Sequence, residues 1–304
     1  FSISPQAVSF NINFEPKTES LFLLNLDKDI VVYEKDPHKK MYPAATTKIM
    51  TYIIVSEKVD DIDSTTVTIK PEILKKLLGT GSVSSISQAS NTLTVRQLLH
   101  SLLIGSGNDA ALILADFIGN GSIEGFVQMM NDKAESLGCY NTHFTNPHGL
   151  HNENHYTTAY DLATITKHAL TLPSFAEISG TVTSKIMGED IYPLVTTNLM
   201  IDPYRGGKYY YKYARGIKAG STNEAGRCLV STAANNGYTY LCVALGAPIN
   251  DESGNKINDN YAMLDSKSLY EWAFSNLRIK QIVSQDKSLG EVKLKLSSNR
   301  DSIL

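Results

Sequence analysis

Three short segments hold side chains whose types and spacing suit acyl-transfer chemistry. In Pro43-Ala44-Ala45-Thr46-Thr47-Lys48, positions 45 and 48 stand three apart at the start of a helical pattern. They share a face, and Lys48 points at whatever residue 45 presents. Ser106-Gly107-Asn108 falls in a kink between two helical patterns, which puts a hydroxyl and an amide on the same side of an irregular loop. Lys218-Ala219-Gly220 reads as strand, a cation followed by a glycine that lets another backbone approach closely. Singly, each has a plainer reading. A helical lysine is usually a solvated surface residue, Ser106-Gly107-Asn108 a helix-breaking turn, and Lys218 an edge charge. Together they supply a base, a second hydroxyl, an orienting amide and a fixed cation.

The elements that must position these groups alternate between strand and helix periods. Ser20 to Leu26 and Ile30 to Tyr33 are apolar runs around Asp27-Lys28-Asp29 and predict a hairpin. A helix is expected to open over residues 45 to 48, with Ile49, Tyr52, Ile53 and Ser56 at its spacing. Thr94 with Gln97 makes a capping box ahead of Leu98, Leu99, Leu102 and Leu103, and that helix breaks at Gly105-Ser106-Gly107. Asp109 restarts a helix ending near Gly119. Another runs from Ile123 to Leu137 on a stripe of Phe126, Met129, Met130, Ala134 and Leu137, with Gly138 as its stop. A short helix covers Asp161 to Leu170, where Asp161 is expected as the cap. From about Arg215 the period becomes two, through residues 216–222, 227–233 and 238–244, which predicts an antiparallel meander. A last helix from Tyr261 to Phe274 should pack through Leu264, Leu269, Trp272 and Ala273. The fold class is therefore α+β: an antiparallel sheet covered by helices, with a helical subdomain. The tail from Ile279 alternates again and reads as the truncated start of a β-rich C-terminal domain over 279–304, after a catalytic domain over 1–278.

Length and composition bound the function. The 304 residues are 42% hydrophobic and 19% charged with a formal net charge of −3, enough apolar material for a large core and no basic stripe for nucleic acid. No apolar run is long enough to span a bilayer. Cys139, Cys228 and Cys242 lack a zinc-site spacing; Cys228 and Cys242 flank a turn and could face each other as a disulfide or as two buried thiols. His143, His148, His151 and His155 crowd one stretch without the H-E-x-x-H pattern, so no metal site is expected.

The three segments occur in the order of the S-x-x-K, S-D-N and K-T-G motifs of penicillin-interacting serine enzymes. The chain resembles the low-molecular-mass penicillin-binding proteins that act as serine-type D-alanyl-D-alanine carboxypeptidases. The resemblance rests on YPAATTKIMT from Tyr42, LLIGSGNDAA from Leu102, NPHGLHNENHYTTAYDLA from Asn146 and GIKAGST from Gly216, over about residues 22 to 277. It implies a hydrolase, without a cofactor, that removes the terminal D-alanine of peptidoglycan stem peptides through an acyl-enzyme and binds β-lactam antibiotics. It also implies work outside the cytoplasmic membrane, with membrane association through a C-terminal segment absent from this sequence. In the family's roles, Lys48, neutral when desolvated beside Lys218, takes the nucleophile's proton, and Ser106 relays it to the leaving nitrogen. Asn108 orients the peptide, and Lys218 with Ala219, Gly220, Ser221 and Thr222 binds its carboxylate end. The backbone N–H groups of residue 45 and about Ser221 form the oxyanion site. Some relatives add an arginine after the strand at 238–244, for which this sequence offers only Lys256.

Two positions depart from the pattern. The family's nucleophilic serine is Ala45 here, so no acyl-enzyme is expected. The motif threonine is Ala219, which removes a hydroxyl from the carboxylate subsite. Two accounts fit Ala45: an engineered Ser→Ala change that disarms an otherwise retained site, which is preferred, and a natural inactive peptidoglycan-binding pseudoenzyme. A class A β-lactamase fits less well, because its Glu-x-x-Leu-Asn string has no match and the region after Asn146 reads NPHGL.

Overall fold

A computed structural model describes residues 10–80, 86, 92–187 and 191–278. The expected N-terminal hairpin is β1 (Ser20–Asn25) and β2 (Ile30–Lys35). Chain direction then reverses into a 3-10 turn over Ala44–Thr47 that runs straight into α1 (Lys48–Lys58). Three short elements follow, β3 (Thr66–Thr68), α2 (Pro71–Lys75) and β4 (Thr92–Thr94), with β3 and β4 paired. None was predicted, because pieces of three to five residues carry no periodicity of their own.

The capping box is present at the head of α3 (Val95–Leu103): Gln97 N donates to Thr94 Oγ1 and Thr94 N to Gln97 Oε1. Next come α4 (Asn108–Ile118), buried on nearly every side, and α5 (Ile123–Ser136), which buries Phe126, Met130 and Ala134, with Met129 and Leu137 packed at the margin. Among the described residues no single helix is long and apolar enough to cross a membrane. The next helix, α6 (Ala159–Leu170), is capped by Thr158, whose hydroxyl accepts from Asp161 N. Asp161 is therefore not the cap. Its carboxylate accepts from Asn141 N and Thr142 Oγ1 and ties the preceding loop to the helix. The short helix α7 (Phe175–Ser179) and the hairpin of β5 (Thr183–Met187) and β6 (Ile191–Val195) were also unforeseen.

The meander appears as β7 (Ala214–Thr222), β8 (Gly226–Asn235) and β9 (Tyr238–Ala247). With the first hairpin it makes one five-stranded antiparallel sheet in the order β2-β1-β9-β8-β7. The central strands are buried on both faces: Phe22 and Leu24 of β1 enter one core, Leu21 and Leu23 the other. One core joins the sheet to the 3-10 turn, α1 and the helical subdomain, the second joins it to α8 (Tyr261–Asn276). In α8 the buried apolar positions are Ala262, Met263, Leu269, Tyr270, Trp272 and Ala273. Leu264, expected among them, is only half-buried. The inward position beside it goes to Asp265, whose carboxylate accepts from Thr18 N and Oγ1.

Cys228 and Cys242 belong to different cores, and their cross-strand partners are Gly220 and Ser231, so they do not face each other. All three cysteines are buried free thiols whose pKa burial pushes up to about 12. The proposed domain start at residue 279 lies outside the described residues.

Candidate active site

Two glycines set the site's geometry. A Cβ on Gly220 would fall 2.5 Å from the Ala45 nitrogen and 2.9 Å from its Cβ, so only glycine lets β7 lie against the 3-10 turn. Gly149 approaches from another loop: its φ is +90°, and a Cβ there would fall 1.9 Å from Ala44 O. Residue 45 is thus held between β7 and the loop at 146–150. It lines a cleft of about 340 Å3 together with Lys48, Ser106, Asn108, Ala219, Gly220, Ser221 and Thr222.

Lys48, the first residue of α1, is fully buried, and its Nζ donates to Asn108 Oδ1 at 2.6 Å and to the His148 carbonyl at 2.8 Å. Burial first, and the charge of Lys218 second, hold its pKa well below the usual lysine range, with Asp109 opposing. An amine so placed is a base at neutral pH. Asp109 is itself buried, its carboxylate accepting from Ile86 N at 2.8 Å and Ala110 N at 2.7 Å. Asn108 and Ser106 come from the break between α3 and α4. Gly107 N closes α3 by donating to Ser101 O at 2.8 Å, and Ser106 takes a left-handed backbone, φ +59°, at the cleft wall.

Lys218 does not line the cleft. It is fully buried one layer behind, with Nζ donating to Ala219 O at 2.6 Å and Thr197 Oγ1 at 3.3 Å, and burial pushes its pKa down to about 7. The cleft cation on that side is Arg227 of β8, which lies directly across the ladder from Ser221. Its guanidinium donates to the carbonyls of Pro248, Ile257 and Asp259, so it also clasps the loop leading into α8. Lys256, the cation expected near this end, is exposed and outside the cleft. Arg227 could be found from sequence only by knowing the β7–β8 register. Thr197, His148, Asn260 and Met263 line the cleft as well and were likewise not anticipated.

The four clustered histidines separate in space and in role. His155 is buried; its Nδ1 accepts from Thr145 N at 2.9 Å and its Nε2 meets Thr47 Oγ1 at 2.8 Å. Because Thr47 Oγ1 donates to Ala44 O, His155 is the donor to Thr47, and the ring braces the 3-10 turn. Burial first, then the neighbouring His143 and His151, hold its pKa down to about 3. His143 bonds to Asn154 O, and His151 rests edge-on against Tyr42. Among the described residues no group of three or more His, Cys, Asp or Glu is arranged to hold a metal ion.

The sequence profile of the D-alanyl-D-alanine carboxypeptidase family matches residues 7–249. The chain is 31% identical to D-alanyl-D-alanine carboxypeptidase DacF of Bacillus subtilis, over 92% of this chain and 68% of that protein. It is 28% identical to DacA of Haemophilus influenzae, over 96% and 70%. Among solved structures it is similar to a Streptomyces DD-transpeptidase, with a TM-score of 0.75 at 27% identity over 87% of this chain and all of that one. Similarity extends to cefotaxime-bound penicillin-binding protein D2 from Listeria monocytogenes, with a TM-score of 0.70 at 25% identity, over 87% and 100%. The order of the motifs, the α+β architecture and these matches agree: the chain belongs to the D-alanyl-D-alanine carboxypeptidase family of penicillin-binding serine peptidases.

Proposed function

We propose that this chain is the binding scaffold of a D-alanyl-D-alanine carboxypeptidase acting on peptidoglycan stem peptides, disarmed at Ala45. The observation that carries the reading is the buried, deprotonatable amine of Lys48, one turn after residue 45 and hydrogen-bonded to Asn108, in the cleft that Ser106 and Gly220 also line. With serine at 45, Lys48 would take the hydroxyl proton as Oγ attacks the D-Ala carbonyl. Ser106 would then pass a proton to the leaving D-alanine nitrogen, and water would hydrolyse the ester. The Ala45 N–H, between Gly149 and Gly220, is a backbone donor that loss of the side chain leaves in place, so peptide binding survives where acylation does not. Arg227 and Lys218 supply positive charge toward the terminal carboxylate from the β7–β8 side, in place of the hydroxyl missing at Ala219. β-Lactams would enter the same cleft and dissociate unchanged. The unit doing this is residues 1–278, working outside the cytoplasmic membrane, with a second module beginning at 279.

The test is D-alanine release from a peptide ending in D-Ala-D-Ala, measured on this chain and on Ala45→Ser. No release by the chain, with turnover and covalent penicillin labelling by Ala45→Ser, is expected. Absence of release from both sinks the disarmed-enzyme reading. The methyl of Ala219 in the carboxylate subsite favours a second reading, a natural wall-binding pseudoenzyme. Peptide binding without turnover in Ala45→Ser would select it.

A further inference from the structure

The loop Asn146–Leu150 is bonded as a rigid presenter of one side chain. Asn146 Oδ1 accepts from Gly149 N at 2.7 Å and from His148 N at 3.3 Å, while its Nδ2 donates to Leu150 O at 2.9 Å. Thr51 Oγ1 donates to Pro147 O at 2.6 Å, and Lys48 Nζ to His148 O at 2.8 Å. The backbone of His148 is therefore fixed without help from its ring.

The ring's own state is fixed too. Leu150 N donates to Nδ1 at 3.1 Å, so Nδ1 bears the lone pair and the neutral ring carries its hydrogen on Nε2. Burial, then Lys48 and His155, push the His148 pKa down to about 3, and this tautomer persists through the neutral range. His155 has the same tautomer and spends its Nε2–H on Thr47. His148 lines the cleft, and its Nε2 meets no hydrogen-bond partner among the described residues. The Nε2–H is therefore oriented by the fold yet open to the cleft, where a bound ligand can replace solvent as its acceptor.

A peptide in the cleft offers a carboxylate and amide carbonyls. The carboxylate is drawn to Arg227 and Lys218 on the β7–β8 side, whereas His148 comes from the loop that meets the 3-10 turn at Ala44. A neutral donor there matches an uncharged oxygen. We propose that His148 Nε2–H donates to the backbone carbonyl of the residue preceding D-Ala-D-Ala, making His148 a substrate-binding residue beside Asn108. This inference rests on the function proposed above and names a contact within the same cleft.

Two substitutions split the ring's functions. His148→Asn keeps an acceptor at the Nδ1 position for Leu150 N–H, but its donor falls short of Nε2. His148→Gln keeps a donor at the Nε2 reach. In the Ala45 chain, calorimetry with diacetyl-L-Lys-D-Ala-D-Ala gives Kd, and an alkene isostere replacing the Lys–D-Ala amide removes the carbonyl in question. His148→Asn is expected to weaken binding about 3- to 10-fold, the net worth of one hydrogen bond, and His148→Gln to recover most of it. The isostere also lacks the amide N–H, a loss common to both proteins, so the drop from peptide to isostere should be about 3- to 10-fold larger for the unaltered chain than for His148→Asn. Because that comparison is made within each protein, it decides the matter even if a variant is less stable. Equal affinity of the chain and His148→Asn, or an equal loss on removing the carbonyl in both, overturns the inference. No binding of the peptide by the unaltered chain overturns the underlying function, and this contact falls with it.

Discussion

The α8 layer and the cleft treat buried polar groups in opposite ways. Under α8, each polar group named here has a matched partner: Tyr270 OH donates to Ser231 O at 2.7 Å, and the Asp265 carboxylate accepts two bonds from Thr18. The rest is apolar packing of Leu229, Tyr240, Leu269 and Trp272. In the cleft region two lysines are fully buried, and among the described residues neither makes an ion pair. Their amines meet only neutral oxygens. An ammonium group is costly to bury without an opposite charge, so the pKa falls, well below the lysine range for Lys48 and to about 7 for Lys218. The contrast teaches a division of labour in which one layer stabilises the domain while the cleft forgoes stability to keep the Lys48 amine neutral and donors open.

The largest effect that separates the two regions should come from the α8 layer. Leu269 is fully buried against the sheet. Leu269→Ala is expected to lower unfolding free energy by about 2–5 kcal/mol, through lost burial and the cavity left behind. Chemical denaturation read beside peptide affinity checks it, with Kd unchanged at a temperature where both proteins are folded. A loss of affinity as large as the loss of stability would mean that the two regions are one cooperative unit, and the division drawn above would fail.

How far the sequence foretold this depends on how local each signal was. The meander of β7, β8 and β9 was legible because three seven-residue stretches, 216–222, 227–233 and 238–244, read as strands separated by turns, although β8 and β9 are buried on both faces rather than alternating, and the α3 capping box because four adjacent residues define it. Ala45, Lys48, Ser106 and Asn108 were legible as candidates through helix spacing and a kink. Arg227 was not, since its place in the cleft exists only through register with Ser221. Lys218 was placed in the cleft by its motif, yet the strand turns its amine behind the wall toward Ala219 O. His148 looked like one of four histidines in a loop. Only the bonds of Asn146 and Leu150 distinguish it from His143, which is spent on Asn154 O. The hairpin of β5 and β6 was missed because its five-residue strands gain their definition from each other.

A smaller effect of opposite sign sharpens the comparison from the cleft side. Lys218 has its pKa pushed down to about 7 in the folded chain, against an ordinary lysine value of 10.5. Below about 7 the amine is charged in both states, and the folded state bears the whole desolvation cost. Between 7 and 10.5 the unfolded chain holds more protons, so stability rises with pH, by at most ~1.4 kcal/mol per pH unit for one proton. The buried thiols act in reverse above their ordinary value of 9.0, because folding holds them protonated to about 12. The clear window is therefore pH 7 to 9. Lys218→Met keeps most of the side-chain volume and removes the amine. It is expected to raise stability at pH 7 by about 1–3 kcal/mol and to reduce the rise between pH 7 and 9. Some rise should persist, since Lys48 is depressed in the same direction. Below about pH 7, where the amine is charged, the same variant should also weaken peptide binding, through loss of positive charge behind Ala219. Equal pH slopes in denaturation of the chain and of Lys218→Met would show that this amine is solvated rather than buried. A stabilised variant that binds peptide less well would place stability and recognition in direct opposition at one atom, the reverse of what Leu269→Ala should show under α8.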